Sequence, residues 1–121
     1  MLTLKLVEKQ IEDLIRNHKH YPDGDKDRRK AEREVSLLRT VKLYLENNPS
    51  QEWLEKEVFR IETLLEKIAA GFKTWAKNNP REANETPNPL SVYNRLMGTA
   101  TLKRHLKGAR YILQSNLRMA A

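Results

Sequence analysis

The sequence predicts an all-α protein, a helical bundle built on a long antiparallel helix hairpin. Three observations carry that expectation. Apolar residues recur at alternating steps of three and four through most of the chain, the period of one helix face. Only two Phe, two Trp and four Tyr are present, with four Gly and five Pro, fewer aromatic and turn residues than strand-rich proteins use. The 121 residues are 39% apolar and 32% charged, enough to close one modest core and too polar for a bilayer protein.

The elements follow in order. Leu4, Val7, Ile11, Leu14 and His18 make one face of a first helix over about residues 3–19, widened by Leu6 and Ile15. Tyr21-Pro22 ends it, because proline disfavours helix in the residue before it. A second helix, about 25–47, buries Ala31, Val35, Leu38, Val41 and Leu45, with Leu37 and Tyr44 on a flank. Asn48 then reads as an N-cap, Pro49 as the first helical residue and Gln51 as the capping-box partner of a third helix, 49–77. Its seam of Leu54, Val58, Ile61, Leu65, Ile68, Phe72 and Trp75 runs across three heptads. The small residues Ala69, Ala70 and Gly71 suit the close approach of a neighbouring helix. The tight Asn-Asn-Pro turn predicts that the second and third helices lie side by side. Residues 78–88, with their prolines and asparagines, read as a loop. Asn88 and Pro89 open a short helix, 89–97, that Gly98 ends. Thr99 caps a last helix, 100–117, whose core face is Leu102, Leu106, Ala109, Leu113 and Leu117. The whole chain, 1–121, reads as a single domain.

The stretch from Asp23 to Glu34 invites a calcium reading, with acids at Asp23, Asp25 and Asp27 and Glu34 at the twelfth position. A calcium loop wants glycine at its sixth position for a sharp turn. Arg28 stands there, followed by Arg29 and Lys30, and three cations do not line a cation site. The better reading is a turn at Pro22-Asp23-Gly24, with Asp23 or Asp25 capping the second helix. His18 and His20 are two apart and point away from each other on a helix, so no metal site is expected. With no cysteine, thiol chemistry and disulfides are excluded. Ser36, Ser50, Ser91 and Ser115 stand in no nucleophile elbow, and the glycines form no phosphate-cradling loop. The expectation is a protein that is not an enzyme and uses no cofactor. No apolar run is long enough to span a bilayer and the first residues lack a signal-peptide core, so a cytoplasmic location is expected.

Charge placement is the functional lead. The net charge is +7. Residues 1–85 hold 17 basic and 16 acidic side chains, whereas residues 86–121 hold six basic ones and no acid. On the last helix Lys103, Lys107, Arg110 and Gln114 step by four, three and four, with Arg104 and Tyr111 beside them. Such a stripe suits a phosphate backbone, and Tyr111 suits stacking on a base. A second basic group, Lys26, Arg28, Arg29, Lys30 and Arg33, begins the second helix and can extend the surface. Against this stands an acidic stripe on the third helix, Glu52, Glu55, Glu62 and Glu66 with Phe59 among them. Pairing between the two stripes would leave nothing for an outside partner.

The runs LYLENNPSQEWLEKEVFRIETLLEKI, YNRLMG and LKRHLKGARYIL resemble small uncharacterised helical proteins of Bacteroides-related bacteria and of their phages. The likeness implies a context, that of small phage or mobile-element proteins that bind and modulate a host or viral machine, including CRISPR effectors. It carries no motif from which the role of a residue transfers. The function expected is binding of RNA, DNA or a nucleoprotein complex through Lys103, Arg104, Lys107, Arg110 and Tyr111, with Arg28, Arg29, Lys30 and Arg33 in support. Two alternatives stand beside it: an inhibitor or adaptor docking the same face on an acidic protein surface, and a homo-oligomer assembled through the seam of the helix at 49–77. No membrane partner is expected, because the first helix carries mixed charge and the last lacks bulky Trp or Phe anchors on its apolar face.

Overall fold

In a computed structural model of the chain, residues 2–85 and 87–120 are described, with side chains for all of these except 118–120. Six helices carry the fold and no strand occurs among the described residues: α1 (Leu4–His18), α2 (Lys26–Glu46), α3 (Gln51–Asn78), α4 (Pro80–Glu85), α5 (Pro89–Leu96) and α6 (Thr99–Ala120). The all-α bundle is as expected.

Local chemistry sets most of the boundaries. The Thr3 hydroxyl accepts from the Leu6 N–H and opens α1. Asp25 does the same for α2, its carboxylate accepting from the N–H groups of Asp27 and Arg28 at 2.8 and 3.3 Å. Asn88 opens α5 over Pro89 by accepting from Ser91 N–H. The start of α3 differs from expectation. Asn48 adopts the left-handed region at φ 47 and serves the turn, while Ser50 is the cap and accepts from Trp53 N–H at 3.0 Å. The expected loop at 78–88 also needs correction, since α4 occupies Pro80–Glu85. Pro80 starts it, where a missing N–H costs nothing, and an Arg81–Glu85 pair spans its single turn at 3.4 Å.

The hairpin expected of α2 and α3 does not form. No Cα of α2 lies within 8 Å of one in α3 among the described residues; α6 packs against both instead, and α1 packs on α2. The cause is visible at Gly108. A Cβ added there would stand 3.0 Å from Thr40 Cγ2 and 3.7 Å from the Tyr44 ring, so the missing side chain lets α6 settle onto α2. Where α2 ends and α3 begins, only side chains meet, with Tyr44 and Trp53 rings 5.8 Å apart. One core gathers from four helices: Val7 and Ile11, then Val35, Leu38, Val41 and Tyr44, then Leu54, then Ala109 and Ile112. Leu54, Ile112, Val7 and Val41 are fully buried, each contributing roughly 1.5–3 kcal/mol relative to exposure.

The second half of α3 has a thinner cover. Ile61 is buried, but Leu65, Ile68, Phe72 and Trp75 are only half-buried under α4 and α5. Tyr93 on α5 fills the site beside Gly71. Its ring packs on Phe72 and Trp75 at 5.4 and 5.3 Å, and its hydroxyl donates to the Ile68 carbonyl. The small residues expected to admit a helix thus do something narrower: Gly71 makes room for one phenol, while Ala69 and Ala70 are exposed. No helix among the described residues is long and apolar enough to cross a membrane.

Candidate functional site

Lys30, Arg33 and Leu37 step by three and four along α2, and Ala100, Lys103 and Lys107 do the same along α6. Each set therefore shares one helix face. Packing of α6 on α2 brings the two faces to one open cleft of about 680 Å3. Five cations line it, Lys30 and Arg33 from α2 with Lys103, Arg104 and Lys107 from α6, together with Leu37, Ser36, Ala100 and one carboxylate, Glu34. All five cations are exposed. None of them enters an ion pair among the described residues, where the pairs run instead through Arg16, Arg28, Lys42, Lys56, Arg60, Arg81 and Arg110. Two basic segments some seventy residues apart in the chain are thus joined on one surface, and the positive potential they share is left for solvent or a ligand.

Other expected members of the site are used elsewhere. Arg28 holds the α1–α2 turn: its guanidinium pairs with Asp23 at 2.6 Å and Glu32 at 3.1 Å and donates to the Tyr21 carbonyl at 2.9 Å. One of these contacts occupies Asp23, and capping of α2 occupies Asp25, two of the carboxylates that suggested a calcium loop. Arg29 is exposed and does not line the cleft. Arg110 pairs with Glu62 on α3 at 2.6 Å, the one ion pair between the basic and acidic stripes among the described residues. Tyr111 is half-buried against the core, with Leu113, and does not line the cleft. Its position one step past the stripe faces it inward, which the helical spacing beside Lys107 and Arg110 concealed. No three of His, Asp and Glu come together as a metal site would require among the described residues.

A second polar cluster escaped the sequence reading. Tyr44 on α2, Glu57 on α3 and His105 on α6 converge at the joint of the three helices. The Tyr44 hydroxyl donates to Glu57 Oε2 at 3.2 Å and lies 3.0 Å from His105 Nδ1. Its one proton is committed to Glu57, so Nδ1 of His105 is the donor in the other bond. Burial, and then the Glu57 carboxylate, push the Tyr44 phenol above its ordinary value. Arg60 donates to Glu57 at 2.6 Å and, as the largest influence, lowers the Glu57 carboxyl. A phenol held this firmly protonated is a pin between helices rather than a nucleophile. The signal was present in the sequence: a tyrosine beside an apolar seam needs a partner for its hydroxyl when buried.

Compared with known proteins, the chain matches no family model, no curated protein and no solved structure.

Proposed function

We propose that this protein is a non-enzymatic binding protein that holds RNA or DNA, alone or within a nucleoprotein complex, by its phosphate backbone in the α2/α6 cleft. One observation carries the reading: five cations from two helices line a single cleft and none has a carboxylate partner within the described chain. Clustered cations repel one another and raise the free energy of the fold unless anions neutralise them, so their convergence suits a polyanion. The cleft offers ammonium and guanidinium groups but few neutral donors or acceptors. It therefore suits neutralisation of phosphates without reading of bases.

Fluorescence polarisation with labelled oligonucleotides across a salt series tests this. If all five cations engage phosphates, log K against log[salt] falls with a slope of about −3.5 for a single strand and about −4.5 for a duplex. Absence of binding at low salt removes the proposal. A pull-down repeated with nuclease separates it from the alternative, an inhibitor or adaptor docked on an acidic protein surface. A partner retained after nuclease treatment, and competing with oligonucleotide for the cleft, would favour that second reading.

A further inference from the structure

The basic cleft continues past Lys103. A second depression of about 450 Å3 shares Ala100 and Lys103 with it and lies where α5 hands over to α6. Here the N-terminus of α6 stands open. Gly98, at φ 69, precedes the helix, and its carbonyl accepts the first helical bond, from Leu102 N–H at 3.1 Å. Glycine brings no side chain to cap the turn. The N–H groups of Thr99, Ala100 and Thr101 have no acceptor among the described residues, whereas α1, α2, α3 and α5 each hold a side-chain oxygen over theirs.

An independent observation comes from Thr99, which lines the depression and is only 5% exposed. Its Oγ1 is buried without any hydrogen-bond partner. Native proteins leave few buried hydroxyls in that condition, because the lost hydration goes uncompensated. Arg95 and Lys103 flank the same space, and no carboxylate lines it. Free amides at a positive helix end, an orphaned hydroxyl and two cations form the donor set that an oxyanion accepts from.

We infer that this depression is a seat for a phosphoryl group. Its oxygens accept from the first-turn amides of α6 and from the Thr99 hydroxyl, and Arg95 and Lys103 balance its charge. Two sources share that chemistry: the terminal phosphate of a strand lying in the α2/α6 cleft, and a free phosphate or small phosphomonoester. Only the first rests on the nucleic-acid reading; the seat itself stands on its own geometry.

Amide NMR of the full chain, titrated with inorganic phosphate against chloride at matched ionic strength, tests the seat. Saturable shifts at Thr99, Ala100 and Thr101 are expected. T99V and Arg95→Gln should each weaken phosphate by about tenfold or more, the size of a hydrogen bond to a charged group. T99V keeps the side-chain shape and removes only the orphan, so without phosphate it should melt no lower than the parent. Weaker binding in that variant then cannot come from unfolding. Shifts that follow ionic strength alone, or an affinity unchanged in both variants, overturn the proposal. Oligonucleotides with and without a terminal phosphate separate the sources: a preference for the phosphorylated end that Arg95→Gln abolishes assigns a strand terminus, and equal affinity with the inorganic phosphate response intact assigns a free phosphate. Lys107→Glu should weaken oligonucleotides and leave inorganic phosphate unaffected, so failure of the cleft and failure of the seat give different results.

Discussion

The acidic face of α3 and the basic cleft between α2 and α6 are built from similar stripes, yet the first is partly compensated and the second is not. On α3 part of the stripe is answered: Glu52 by Lys56 at 3.0 Å and Glu62 by Arg110 of α6 at 2.6 Å, with Glu57 beside the stripe answered by Arg60 at 2.6 Å, whereas Glu55 and Glu66 enter no ion pair among the described residues. In the cleft, Lys30, Arg33, Lys103, Arg104 and Lys107 have no such answer among the described residues. The reason lies in what each helix carries three and four residues away. α3 mixes both signs at that spacing, so Glu52 and Glu57 are neutralised within the helix itself. Residues 86–121 have no acid at all, so α6 cannot neutralise itself. Its neighbour α2 contributes more cations to the shared cleft. A charged stripe is a binding surface only where the fold leaves it uncompensated.

Three perturbations sharpen that contrast. The largest effect is expected from reversing the cleft. Lys103→Glu with Lys107→Glu should lower oligonucleotide affinity by about a hundredfold at low salt and flatten the salt slope. The melting temperature should barely move, because neither side chain has an ion-pair partner among the described residues and exposed substitutions of this kind stay within about 0.5 kcal/mol. A variant that binds normally but melts much lower would invert the roles assigned to the two faces.

An intermediate effect is expected at the partly compensated face. Glu57→Ala removes the acceptor of both Tyr44 and Arg60 at the three-helix joint, which should cost about 1–3 kcal/mol by thermal denaturation at neutral pH. The cost should depend on pH in a fixed sense. The Glu57 carboxyl is lowered in the folded protein from its ordinary 4.5, so its stabilisation is present above that value and is lost as pH falls through the depressed one. The gap in melting temperature between parent and variant should therefore narrow on acidification below about pH 4.5. The smallest effect belongs to Arg110→Ala. Both partners of its pair with Glu62 are nearly half exposed, at 47% and 42%, so about 0–1 kcal/mol is at stake, less still in high salt. A chemical-denaturation series at two salt concentrations measures it.

Much of the fold was legible because it depends on single faces. The periodicity of Val7 and Ile11, of Val35, Leu38 and Val41, and of Leu106 and Ala109 identified buried positions directly. The partner of each face was not legible. Chain adjacency and a short turn argued for an α2–α3 hairpin, but the decision was made by a glycine sixty residues downstream that lets α6 in. Three helical expectations failed for local reasons: Asn48 took a left-handed conformation and passed the cap to Ser50, Pro80 began a helix where proline was read as a breaker, and Gly98 rather than Thr99 precedes the last one. In the candidate site, Lys103, Arg104 and Lys107 were visible as an acid-free stripe, and Lys30 and Arg33 as a basic run. Their juxtaposition was not, because it is a product of tertiary packing. Tyr111 and Arg28 carried the right chemistry for the surface and were drawn into the core margin and the α1–α2 turn instead.

The insertion of α6 between α2 and α3 also shapes how the chain must fold. Tyr44 and His105, which meet at the joint, are 61 positions apart. Individual helices of this length form in about a microsecond or less, whereas closing a loop of that size exacts an entropy that grows with the logarithm of its length. Refolding is therefore expected to be paced by the docking of α6 rather than by the coil-to-helix transition, and the transition state to be organised around Gly108 and its contact with Thr40.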